Sequence, residues 1–144
     1  MVFVFQGLAM VTIWEEYSVK SKQMLASERS IYSVVKMFGQ NQLKRQLSQR
    51  SQYVVLNKLC KCWKNQNQEK EVFIHLQASP EVAYQRTRVR KRQEERKRVL
   101  EYFQDLHETL EDWRKQEDKL IAVGNAERDP EGVTTAVMDV LQRW

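Results

Sequence analysis

The first fourteen residues, MVFVFQGLAMVTIW, carry no charge, and polar character arrives only with Glu15 and Glu16. This pattern predicts a helix over residues 3–20, apolar on most sides until Trp14 and charged at its end. KQMLAS (22–27) reads as a short strand closing at Glu28-Arg29-Ser30, and IYSVVKMF (31–38) as a helix that stops near Gly39. Residues 40–70 are rich in Gln, Asn and Lys. Leu43, Leu47, Val54, Val55, Leu56, Leu59 and Trp63 still supply a helical stripe beneath that polar run.

The second half alternates more clearly. EVFIHL (71–76) is a short apolar run bounded by charge, which predicts a strand. Ser79-Pro80-Glu81 supplies an N-cap, a proline for the first helical position and an early acid. Leu100, Phe103, Leu106, Leu110 and Trp113 recur at spacings of three and four, predicting a helix over 100–117. KLIAV (119–123) is a further strand candidate, followed by a Gly124-Asn125 turn and a closing amphipathic helix with Val133, Val137, Val140 and Leu141. Strands alternating with helices in this way predict an α/β layered fold with a parallel sheet. The 144 residues form one domain's length of chain, 1–144.

Charge changes the picture once it is localised. The chain carries +5, but Arg86–Arg98 alone holds eight basic residues and two acids, which leaves −1 for the remainder. The basicity is thus a local feature rather than a polyanion-binding surface, and nucleic acid is not an expected partner. Cys60 and Cys62 have no second pair and no nearby histidine to complete a zinc site, so they read as reduced thiols. The apolar N-terminal run lacks the basic start of a signal peptide and the arginines of a presequence. It is also shorter than the roughly 20 residues of a membrane span. A cytoplasmic protein with no membrane partner is expected. A mitochondrial location stays open, because so abrupt an apolar start resembles the interior of a longer sequence.

The stretch SPEVAYQRTRVRKRQEERKR (79–98) sets Arg86, Arg88, Arg90 and Arg92 at every second position. On a continuous helix, residues two apart lie roughly 200° from each other. Arg86 and Arg90 would then share one face, and Arg88 and Arg92 the opposite one. That arrangement suits a small polyphosphate closed over by the end of the helix better than a flat nucleic-acid backbone. Guanidinium groups are permanently charged and bidentate toward phosphate oxygens. A solvated basic helix is the plain alternative.

The stretch from Ser79 to Trp113 resembles the lid and following helix of the deoxynucleoside kinases, a family that takes in thymidine, deoxycytidine and deoxyguanosine kinases. SERSIYS (27–33) is similar to that family's E-R-S signature, and VFQ (4–6) to its F-Q substrate motif, in the same order. The resemblance implies a partial P-loop-kinase-like three-layer α/β fold with a parallel sheet, and a lid at about 84–98. It implies that Gln6 hydrogen-bonds the base and Phe38 stacks on it, although Gln6 could satisfy a backbone group and Phe38 could be plain core. Glu28 would act on the shell of a magnesium ion, through water, or as proton acceptor. Arg29 would hold the 5′-oxygen region and Glu95 the sugar 3′-hydroxyl. Arg86, Arg88, Arg90 and Arg92 would cover the phosphates of ATP, with Glu127, Arg128 and Asp129 near its adenine. His75 and His107 read as structural.

The implied activity is ATP-dependent, magnesium-dependent phosphorylation of a deoxynucleoside 5′-hydroxyl in nucleotide salvage. The apolar Val34 and Val35 stand where amine-reading relatives resemble E-R-S-x-Y-S-D-R, which tilts the expected substrate toward a pyrimidine. The family also opens with a first strand and a glycine-rich G-x-x-x-x-G-K-[ST] loop. None of Gly7, Gly39, Gly124 and Gly132 precedes a Lys-Ser or Lys-Thr pair. The expectation is therefore a truncated member, with a non-catalytic nucleoside-binding or interaction protein as the alternative. The partners expected are the deoxynucleoside and ATP, and a homodimer is left open.

Overall fold

The computed structural model describes residues 2–18, 29–66, 71–95, 97–117 and 120–143. The chain divides into two compact units, Met1–Glu69 and Lys70–Trp144.

The described residues of the first unit are mostly helical. Helix α1 (Val2–Ser18) is followed by a π-helix (Ser33–Gly39), then α2 (Gln40–Lys44) and α3 (Arg50–Gln66). The expected strand at 22–27 lies outside the described residues. Ser30 and Ser33 open the second helical stretch by capping each other. Ser33 N–H donates to Ser30 Oγ at 3.1 Å, and Ser30 N–H donates to Ser33 Oγ at 3.2 Å. Each hydroxyl thereby satisfies a backbone donor that the first helical turn leaves open.

The helix expected to stop at Gly39 instead runs on through it. Gly39 has ordinary helical dihedrals (φ −64°, ψ −43°), and the terminating residue is Gln46 at φ 56°. Gly39 is there for close packing: a Cβ at that position would lie 3.3 Å from the Val34 carbonyl oxygen and 3.5 Å from the Tyr53 ring.

Met10, Ile13, Ile31, Tyr32, Val34, Val35, Leu56, Cys60 and Trp63 form the core of this unit. The Tyr32 and Trp63 rings meet edge-on at 5.6 Å, a geometry aromatic quadrupoles favour. The stripe expected along α3 is corrected. Leu56, Cys60 and Trp63, at i, i+4 and i+7, turn inward, while Val54, Val55 and Leu59, like Leu47 before the helix, are exposed. Leu56 sets the buried face, and Val55 and Val54 fall one and two steps of 100° away from it.

The second unit carries a parallel pair of strands, β1 (Phe73–Leu76) and β2 (Leu120–Val123), with Phe73 opposite Leu120 and Leu76 opposite Val123. Helices α4 (Pro80–Arg90) and α5 (Leu100–Gln116) lie between the strands in sequence, and α6 (Pro130–Arg143) follows β2. Parallel strands need such a crossover, since a tight turn cannot return the chain in the same direction. Trp113 of α5 is buried and meets the Phe73 ring at 5.7 Å, while Tyr84 of α4 meets Phe103 of α5 at 5.9 Å. These contacts fasten the crossover helices to the strand and to each other. Among the described residues, no helix is long and apolar enough to cross a membrane.

Candidate functional site

The residues expected to bind a nucleoside fall in both units. Gln6, on α1, is 4% exposed, and α1 packs against the π-helix that carries Phe38. The guanidinium of Arg29 lies over the half-buried Phe38 ring, 5.4 Å from its centroid. A cation over the ring face is attracted by the π-cloud, so two residues assigned to the base and to the 5′-oxygen touch each other. Val34 and Val35 are both buried in this unit. Glu28, assigned to magnesium or to proton transfer, lies outside the described residues.

In the second unit the segment expected to form a lid is better defined. Helix α4 ends at Arg90, where Lys91 adopts the left-handed conformation (φ 54°, ψ 28°), and a 3-10 turn (Gln93–Glu95) follows. The expectation that Arg88 and Arg92 lie on the opposite face from Arg86 and Arg90 assumed a continuous helix, and the turn at Lys91 removes that assumption. The chain doubles back so that Arg90 Nη2 donates to Glu95 Oε1 at 2.7 Å and to Oε2 at 2.9 Å. Thr87, Arg88, Lys91, Arg92 and Glu95 line one open recess of about 280 Å3. A concave site with three cations and one carboxylate favours an anion with several oxygens.

The loops leaving the carboxyl ends of β1 and β2 are cross-linked. Glu127 Oε1 accepts from the Ser79 amide at 2.8 Å and from the Ser79 hydroxyl at 2.6 Å. These two bonds hold the Glu127 carboxyl below its ordinary range. Ser79 is the N-cap of α4, as expected, but its hydroxyl serves this loop rather than the helix. The Ala126 amide donates to the Gln77 carbonyl at 2.6 Å, and Arg86 Nη1 donates to the Ala126 carbonyl at 2.9 Å. Asp129 Oδ1 accepts from the Gly132 amide at 2.8 Å and so caps α6, while Arg128 is exposed. Thus Arg86 ties α4 to the loop expected near adenine, and Arg90 ties it to Glu95.

Arginine spacing pointed to this region without disclosing its partners. The Ser79–Glu127 pair spans 48 positions and has no local signal. The Ser30–Ser33 cap does have one, in the S-x-x-S spacing just ahead of an apolar helix. His75 on β1 is buried, and its Nε2 lies 3.8 Å from Glu111 Oε1 on α5. Glu111 is itself held by Arg114, through Nε at 3.0 Å and Nη2 at 2.9 Å.

Parallel strands joined through helices, with their strand-end loops clasped to each other, define an α/β protein. The comparisons narrow that class. A family model described as deoxynucleoside kinase matches residues 2–142, and the chain belongs to that family, whose fold is of the P-loop kinase type. It is similar to human "Thymidine kinase 2, mitochondrial", at 33% identity over 88 residues, covering 60% of this chain and 33% of that protein. The Macaca fascicularis protein of the same description matches with the same identity and coverage. The match spans a third of the length of these relatives.

Proposed function

We propose that this chain supplies the nucleoside-recognition helices and the phosphate lid of a deoxynucleoside kinase, arranged on a three-layer α/β fold with a parallel sheet. The reaction is ATP-dependent phosphorylation of a pyrimidine deoxynucleoside in nucleotide salvage, in the cytoplasm. The 5′-oxygen bonds to the γ-phosphorus as the bond from that phosphorus to the β–γ bridging oxygen breaks. ADP leaves with the electron pair, and the 5′-proton passes to a base, for which Glu28 is our assignment.

The observation that carries this reading is that Arg88, Lys91 and Arg92 line one open recess together with Glu95. Fixed positive charge at the phosphates stabilises charge spread over their equatorial oxygens during transfer. Gln6 can both donate to and accept from a base edge. Val34 offers no acceptor for an exocyclic amine, which supports a thymine-like base. Magnesium would neutralise phosphate charge, and Glu28 is the residue we assign to it. Among the described residues there is no group of three or more His, Cys, Asp or Glu suited to hold a metal.

The test is thermal unfolding with thymidine and with deoxyadenosine, for the wild-type chain and Gln6→Ala, alongside ATP-dependent release of nucleoside 5′-monophosphate. Thymidine should raise the melting temperature more than deoxyadenosine, and Gln6→Ala should abolish the effect. Stabilisation by no deoxynucleoside sinks the proposal. Stabilisation without turnover selects the alternative, a nucleoside-binding protein derived from the same family.

A further inference from the structure

The resemblance gives roles to Arg86, Arg88, Arg90 and Arg92 and none to the lysine among them. Lys91 nevertheless holds the least ordinary backbone position in the segment. Its φ of 54° places it in the left-handed region, which glycine and, less readily, asparagine enter at low cost, whereas a lysine's Cβ crowds the following carbonyl. A helix end of this kind usually takes glycine. An observed strained residue is grounds for asking what its side chain contributes.

The side chain answers in two ways. It lines the recess together with Thr87 and Arg88 from the last turns of α4 and Arg92 and Glu95 from the returning segment. The recess therefore holds three cations, while its one carboxylate already accepts two hydrogen bonds from Arg90. Its basic lining residues come from both sides of the turn. The charge at position 91 is in addition separable from the fold there, since Lys91 N–H closes the helix on the Thr87 carbonyl (3.3 Å) through the backbone alone.

We propose that Lys91 is a phosphate-contacting residue of the lid, carrying the left-handed turn for the sake of its ammonium group. The assignment rests on the lid reading above and adds a residue to it. The ligand class is a linear polyphosphate, as at the end of a nucleoside triphosphate. A lysine acts here as a mobile point charge, whereas the neighbouring guanidiniums act as planar forks.

The experiment is calorimetric titration of the full chain with inorganic tripolyphosphate at low and physiological salt, with melting temperatures measured in parallel. Lys91→Gly and Lys91→Asn should each weaken binding by about 3- to 10-fold, the range between an exposed ion pair and a charged hydrogen bond. Both should melt at or above the wild-type temperature, because the new residue accepts the turn more readily. Lys91→Arg should keep near-wild-type affinity. Unchanged affinity in the glycine and asparagine variants overturns the assignment, as does an arginine variant as weak as they are. A wild-type chain that does not bind tripolyphosphate overturns the lid reading as well, so the two failures are distinguishable.

Discussion

Arg90 grips Glu95 through a single nitrogen, with Nη2 at 2.7 and 2.9 Å from the two carboxylate oxygens. The Glu95 side chain is 11% exposed and that of Arg90 50%, so the pair is anchored on its acidic side and open on its basic side. Under the proposed roles, the group for the sugar and a group for the phosphates occupy each other. A triphosphate that draws Arg90 away releases Glu95, and by linkage the two ligands then favour each other's binding. Arg90→Ala should strengthen thymidine binding without ATP by about 2- to 5-fold, the scale of a half-exposed ion pair, and remove its dependence on ATP. Glu95→Gln should weaken thymidine binding instead. Calorimetric titration with and without a non-hydrolysable ATP analogue checks both, and equal thymidine affinity in wild type and Arg90→Ala counts against the coupling.

Gly39 makes a prediction about packing rather than turns. Its missing Cβ leaves room for the Val34 carbonyl and the Tyr53 ring, at 3.3 and 3.5 Å from where that atom would stand. A backbone carbonyl inside a helix cannot swing aside as a long side chain can. Gly39→Val should therefore destabilise the chain by about 1–3 kcal/mol, the usual cost of overpacking. Urea unfolding gives the number, and a midpoint unchanged from wild type refutes the packing role.

Much of the second unit was legible in the sequence because its signals are local. FIHL and LIAV are bounded apolar runs, Pro80 stands at a helix start, and Phe103 to Trp113 keep helical spacing. Gly39 misled because glycine marks both helix ends and close approaches, and spacing alone does not separate the two. Lys91 misled in the opposite sense, since a lysine gives no warning of a left-handed turn. The valines of α3 suggested a stripe of which only part is buried, although the Leu56, Cys60 and Trp63 spacing was available. The site was legible as a segment but not as a set of partners. Arg86 with Ala126, Ser79 with Glu127 and Arg29 with Phe38 are chosen by tertiary proximity.

The Ser79–Glu127 clasp should matter more for order than for stability. Glu127 is fully exposed, and its hydrogen bonds to Ser79 compete with water. Glu127→Ala should leave the melting temperature near wild type while loosening the turn that presents the Ala126 carbonyl to Arg86. Hydrogen exchange reads this directly. The amide of Ala126, bonded to Gln77 at 2.6 Å, should exchange faster in the variant, and unaltered protection there excludes the clasp as an ordering device.

His75 sets the expected pH dependence. Burial lowers its pKa below the ordinary 6.5; Glu111 opposes that shift, while Arg114 and His107 add to it. In the unfolded chain the imidazole titrates near its ordinary value, so below that pH the unfolded state binds the extra proton and the folded state resists it. Stability is then fully present above about pH 6.5 and is lost as pH falls toward the lower folded pKa. The Glu111 carboxyl, held low chiefly by its hydrogen bond to Arg114, begins to lose its own contribution only below its ordinary 4.5, so the two effects occupy separate windows. His75→Phe removes the titrating group and the buried Nε2, which has no hydrogen-bond partner among the described residues. The wild-type melting temperature should fall between pH 7.5 and 5, and the variant's should stay nearly flat over that range. Differential scanning calorimetry at half-unit steps decides the point: parallel curves for the two proteins would mean that the acid sensitivity arises elsewhere in the chain.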